Sequence, residues 1–129
     1  MVSTRNDDSK RLKNKDIACM IDDVSGVLCI DPSLPIFNLL GKKYTIMVVG
    51  VIGNRGSRGS FNEIINAIPF SSSTIISRRL KELEKFGLIL KDSGSGSVTY
   101  SLTDFGMKIR EAMMPLFRIT NKEDNAVKP

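Results

Sequence analysis

Histidine and tryptophan are absent from all 129 residues. Without an imidazole, the chain lacks the commonest general base and the commonest zinc ligand. Cysteine is scarce too. Cys19 and Cys29 are the two present, too few for a four-cysteine zinc site. In a cytosolic chain they read as buried thiols rather than a disulfide. Nothing near Cys29 in sequence favours a thiolate, so it reads as an inert packing residue. Long apolar runs are also missing: the longest, Ile46 to Ile52, falls far short of the ~20 residues a spanning helix needs. The opening MVSTRNDDSKRLKNKD has no apolar stretch of the signal-peptide kind. The expectation is a cytoplasmic protein with no membrane partner. No Ser/His/Asp set, Walker A loop or dinucleotide fingerprint occurs, so we expect neither an enzyme nor a cofactor or metal.

What is present is a surplus of positive charge, 19 basic residues against 14 acidic. That balance suits a nucleic-acid partner without demonstrating one. The length suits one domain. Residues 1–15 are polar and without periodicity and read as a mobile tail. Residues 121–129 read as a second, frayed tail, leaving 16–120 as the folded part.

From Asp16 onward Ile17, Met20, Ile21, Val24, Val27 and Leu28 recur at spacings of three and four, which predicts a first helix ending before Asp31-Pro32. A short helix is expected over Ser33–Leu40, closed by Gly41. Tyr44, Met47, Val48, Val51 and Ile52 predict a third, although the β-branched run there also suits a buried strand. Gly53 to Gly59 reads as a loop with room for a very short strand. Ser60-Phe61-Asn62-Glu63 is a capping box, starting a helix that buries Phe61, Ile64, Ile65 and Ile68 and stops at Pro69.

Three residues beyond that proline, Ser72 is placed to cap a further helix, SSTIISRRLKELEKF, with Gly87 as its left-handed stop. Ile76, Leu80 and Leu83 form one stripe. Ser73, Thr74, Ser77, Arg78 and Lys81 point elsewhere, and such side chains meet phosphates and base edges in a major groove. The plainer reading is a solvated basic face. A helix, a tight turn and a basic amphipathic helix together make a helix-turn-helix. Leu88–Asp92 and Val98–Leu102, joined by a Gly/Ser loop, predict a hairpin, the wing of a winged helix. Thr103-Asp104 caps a last helix whose stripe is Phe105, Ile109, Ala112, Met113, Leu116 and Phe117. Pro115 inside it should kink the helix or shift its end.

The runs G41-K-K-Y44, F61-N-E-I64, S72-x4-S77-R-R-L80-K-E-L83-E-x-x-G87-L-I and Y100-S-L-T-D-F-G106 together resemble the HxlR-type winged helix-turn-helix regulators. The similarity spans about Cys29 to Met114. It implies a dimeric DNA-binding regulator of MarR-like fold, with Ser72–Arg79 at the front of the recognition helix. The expected class is therefore mainly α with a small β-hairpin, a winged helix-turn-helix flanked by N- and C-terminal dimerisation helices.

The candidate DNA-binding residues are Ser72, Ser73, Thr74, Ser77, Arg78 and Lys81, with Arg55 and Arg58 from the glycine-rich loop and Lys91 at the wing base. Arg79 sits beside the apolar stripe, where pairing with Glu82 or Glu84 is the alternative. The methionines are either core filler or walls of an effector pocket. Two apolar stripes, Ile17–Leu28 and Phe105–Phe117, exceed what a small winged domain buries alone, so a homodimer through them is expected. Its partner would be double-stranded DNA bearing an inverted repeat. A winged-helix module for protein–protein assembly is the rival reading.

Overall fold

The computed structural model describes residues 18–94 and 96–122. The expected tail over 1–15, Ile17 of the first stripe and positions 123–129 of the second tail lie outside the described residues. The chain divides after Asn38 into two units.

In the first unit, the stretch expected to be helical up to Leu28 is instead a β-hairpin. Strand β1 (Cys19–Asp23) pairs antiparallel with β2 (Gly26–Ile30), Cys19 opposite Ile30 and Ile21 opposite Leu28. Apolar residues at mixed spacings of one, three and four fit two short strands as well as a helix. The turn decides between them. Asp23 accepts a hydrogen bond from the Ser25 hydroxyl at 2.8 Å, and Gly26 takes φ 139°, a conformation that only glycine adopts readily. Both cysteines lie on this hairpin and are free and exposed; neither is the buried thiol expected, because a two-stranded sheet has no interior. Asp31 then accepts from the Ser33 amide and hydroxyl. Helix α1 follows over Pro35–Leu40, with proline suited to the first helical position.

The second unit is built around α2 (Thr45–Ile52), whose Thr45, Val48, Val49 and Ile52 are buried. A helix apolar around most of its surface has to be enclosed, and this one packs against α3 (Phe61–Ala67), α4 (Ser73–Lys85), β4 (Thr99–Leu102) and α5 (Asp104–Ile119). Around it Leu39, Ile64, Ile68, Ile76, Leu80, Leu83, Leu88, Ile89 and Met113 complete the core. Strand β3 (Ile89–Asp92) pairs antiparallel with β4 to form the wing. The short strand expected in the glycine loop reduces to one bridge, Ser60 to Thr99, with the Tyr100 amide donating to the Gly59 carbonyl at 2.8 Å.

Two local devices fix the wing to the helices. Gly87 (φ 79°) ends α4, with the Leu88 amide donating to Leu83 and the Gly87 amide to Glu84, the paired bonds of a left-handed helix end. The Thr103 hydroxyl donates to the Gly87 carbonyl at 2.6 Å and accepts from the Gly106 amide. A Cβ on Gly106 would run into the Leu88 carbonyl. These contacts give the Y-S-L-T-D-F-G and L-E-x-x-G-L-I runs their physical meaning. Helix α5 continues through Pro115, so its end is not moved to the proline.

The α5 stripe splits into two faces. Gly106 and Met113 are buried, and Phe117 lies against Gly50 of α2. Phe105, Leu116 and Ile119 are exposed on another side.

Candidate nucleic-acid interface

Both halves of the helix-turn-helix carry the caps their sequences call for. The Ser60 hydroxyl accepts from the Glu63 amide, and the Glu63 carboxylate accepts from the Ser60 and Arg58 amides. The Ser60 backbone bond, foremost, holds the Glu63 carboxyl below its usual range. In the turn, the Ser71 amide and hydroxyl donate to the Ile68 carbonyl. Phe70 adopts φ 66°, and its carbonyl accepts from the Tyr44 hydroxyl at 3.3 Å. The Ser72 hydroxyl accepts from the Ile75 amide at 3.1 Å, so Ser72 serves as the cap of α4.

Ile76, Leu80 and Leu83 anchor α4 with 1% exposure or less. Ser73, Thr74, Arg78 and Lys81 are exposed and Ser77 half-buried. These five, with Phe61 of α3, line one open depression of about 550 Å³. Expected to be buried, Phe61 is instead half-buried and serves as a wall of this surface. No acidic side chain lines the depression, and the positive end of the helix dipole adds to its attraction for anions.

The other candidates are placed elsewhere. Arg55 and Arg58 are exposed in the loop before α3 and line separate depressions. Lys91 is exposed on β3, opposite Tyr100. Arg79 turns inward: its Nε donates to the Lys43 carbonyl at 2.9 Å and its NH1 to Glu82 at 3.1 Å. Lys42 reaches the other oxygen of Glu82 at 2.9 Å. That lysine hydrogen bond is the main reason the Glu82 carboxyl lies below its usual range. The three side chains tie α4 to the loop before α2.

Sequence reasoning missed Arg110, whose Nε donates to the Gly50 carbonyl and whose NH2 donates to Asn54. Of the two arginines of α5, Arg110 stands in mid-helix beside Ile109 and Met113 rather than in the last turn with Arg118, and that position was the available signal. Among the described residues no helix is long and apolar enough to cross a membrane. Nor is any group of three or more His, Cys, Asp or Glu among them placed to hold a metal ion.

The model of the HxlR-like helix-turn-helix family matches residues 39–126, which takes in every element from α2 to α5. The chain belongs to that family. A relative from Bacillus subtilis, the uncharacterized HTH-type transcriptional regulator YvaP, is 36% identical over 72 residues, covering 54% of this chain and 65% of that protein. The chain thus spans less than two thirds of that relative. A solved structure described as a possible HxlR family transcriptional factor from Thermoplasma volcanium is 42% identical, with a TM-score of 0.77, over 84% of this chain and 98% of that one. The reduced form of the B. subtilis transcriptional regulator YodB is 25% identical at a TM-score of 0.57, over 68% and 87% of the two chains. The family's winged helix-turn-helix is the architecture built above, with α3 and α4 as its two helices and β3–β4 as its wing.

Proposed function

We propose that this chain is a homodimeric transcriptional regulator that binds an inverted-repeat operator with α4 in the major groove. The observation that carries this reading is the convergence of Ser73, Thr74, Ser77, Arg78 and Lys81 on one outward depression while Ile76, Leu80 and Leu83 hold the helix from behind. Arg78 and the three hydroxyl residues read base edges; Lys81, Lys91, Arg55 and Arg58 supply phosphate contacts. The dimer forms through the exposed α5 residues Phe105, Leu116 and Ile119 and through the hairpin residues Ile21 and Leu28. All of them are large apolar side chains left open to solvent. A two-fold dimer sets its recognition helices about 34 Å apart, one turn of DNA. Such a regulator works on the chromosome, in the cytoplasm, without a catalytic step.

Selection of bound fragments from genomic DNA, followed by anisotropy titration, tests this. Arg78→Ala should weaken the selected operator by ~1–3 kcal/mol and relax specificity at one position. Lys91→Ala should weaken all duplexes alike and make the salt slope shallower. A chain that ignores duplex at low salt and instead retains a protein partner would be the assembly module.

A further inference from the structure

Phe61 is the odd member of the set that lines the depression on α4. Three of its companions carry hydroxyls (Ser73, Thr74 and Ser77) and two are cations (Arg78 and Lys81). All five can meet phosphates or the polar edges of bases. A phenyl ring can do neither, and apolar surface left open to water is a cost unless something apolar covers it. Phe61 is nonetheless only half-buried and faces the same opening. The core does not need it there. Ile64 of α3 and Ile76 and Leu80 of α4 already anchor the two helices, each 1% exposed or less.

The backbone that carries the ring is fixed from both directions. Ser60, immediately before it, caps α3 together with Glu63 and forms the bridge to Thr99 of the wing. The Gly59 carbonyl accepts from the Tyr100 amide, so the start of α3 is tied to β4. A side chain of two torsions on an anchored backbone is a preorganised contact, which loses little freedom when a partner arrives.

We propose that Phe61 is a specificity-determining residue that reads the C5-methyl group of a thymine in the operator. This rests on the DNA-binding reading and adds to it the base that the apolar part of the surface selects. In the major groove the thymine methyl is the apolar group that a base pair presents, and it stands beside the O4 acceptor. Arg78 and Lys81 are donors without acceptor capacity. Among the described residues no carboxylate lines the depression. An apolar ring next to donors is the complement of a methyl next to an acceptor. Cytosine offers an N4 donor and no methyl at the same place, and this surface has only hydroxyl oxygens to receive it. Deoxyribose is the other apolar group of a duplex. It is the same under every base, so a ring resting on it would carry no preference.

The test uses the full chain and an operator duplex recovered by genomic selection, in anisotropy titrations. Each thymine of a half-site is replaced in turn by deoxyuridine, which deletes the methyl and keeps the pairing edge. Burial of one methyl corresponds to about fourfold in affinity. One deoxyuridine position should therefore weaken binding roughly fourfold, and at that position 5-methylcytosine should bind better than cytosine by a similar factor. Phe61→Ala should bring the thymine-to-deoxyuridine ratio at that position to one. Phe61→Leu keeps an apolar side chain but lacks the outer ring atoms, so it should reduce the ratio, and it answers the question if Phe61→Ala fails to fold. Thr74→Ser deletes the other methyl of this surface and, whatever its effect on overall affinity, should keep the ratio. A ratio that disappears in Thr74→Ser overturns the proposal. So does an equal loss on thymine and deoxyuridine duplexes in the Phe61 variants with the ratio intact, which would make Phe61 a sugar contact or a packing residue. Duplex binding by the parent chain that is indifferent to every deoxyuridine overturns it too and leaves the regulator reading standing. A parent chain that binds no duplex at low salt overturns both.

Discussion

Two hairpins of nearly equal length occur in this chain, and they are stabilised differently. The wing, β3–β4, begins on Ile89, 1% exposed, and is tied to the helices by bonds from Tyr100 to Gly59 and from Thr103 to Leu88. Every residue of β1 is exposed, and only Ile30 of β2 is partly covered. Pairing places Cys19, Ile21, Leu28 and Ile30 on one side of that hairpin, an apolar face on a two-stranded sheet. Such a sheet is marginal in water unless something packs on it. The wing is therefore held by its own chain, and the first hairpin has its apolar face available to a partner.

The sharpest way to break this contrast is with glycines. Gly59 and Gly26 both have positive φ, so alanine is strained at either. A Cβ at Gly59 would also run into the Tyr100 carbonyl, whereas nothing lies within 4 Å of one at Gly26. Gly59→Ala should cost about 3 kcal/mol or more and lower the melting temperature by more than ~10 °C. Gly26→Ala should leave the main thermal transition within ~5 °C of the parent. Equal shifts would mean that the first hairpin is as firmly built into the fold as the wing.

Side-chain truncation separates the two hairpins in the same way. Ile89→Ala removes a fully enclosed side chain and should cost ~2–5 kcal/mol. Ile21, 46% exposed, should cost no more than ~0.5 kcal/mol when truncated in the dilute chain. If the hairpin face meets a second copy, Ile21→Ala should instead raise the dimer dissociation constant in sedimentation equilibrium. An unchanged constant would confine the dimer contact to α5.

The same contrast explains which features could be read from sequence. The caps at Ser60, Ser72 and Thr103 and the stop at Gly87 are local: each needs only a few neighbours in sequence, and each stands where expected. The wing was legible because its turn is unmistakably Gly/Ser and its strands alternate. At Cys19–Ile30 two periodicities compete over a dozen residues, and Asp23-Val24-Ser25-Gly26 was the signal that favoured the hairpin. The outward set on α4 follows from helix geometry once Ile76, Leu80 and Leu83 are taken as the anchor. Arg79 does not, because its inward turn depends on the carbonyl of Lys43, 36 positions away. Nor does Arg110, whose bonds to Gly50 and Asn54 reach back 60 and 56 positions.

The least of the expected effects concerns acid. Glu82 and Asp23 both have carboxyls held below the usual range, Glu82 chiefly by the Lys42 hydrogen bond and Asp23 chiefly by the Ser25 hydroxyl. A depressed folded-state pKa stabilises the fold above the unfolded-state pKa, and that contribution is lost as pH falls through the folded value. For Glu82 the bond joins α4 to the loop before α2, so its loss is felt by the core. With the Lys42 side chain 45% exposed and that of Glu82 24%, solvent screens the pair, and it contributes about 1 kcal/mol or less. For Asp23 the bond is local, joining two residues of the exposed turn of the first hairpin. Glu82→Gln should therefore be slightly less stable than the parent at neutral pH, with the gap closing as the pH drops through the depressed Glu82 value. Asp23→Asn should leave the main transition unchanged across the same range. A pH-independent gap for Glu82→Gln would assign its role to shape rather than charge, and an acid-sensitive gap for Asp23→Asn would show the first hairpin energetically coupled to the core.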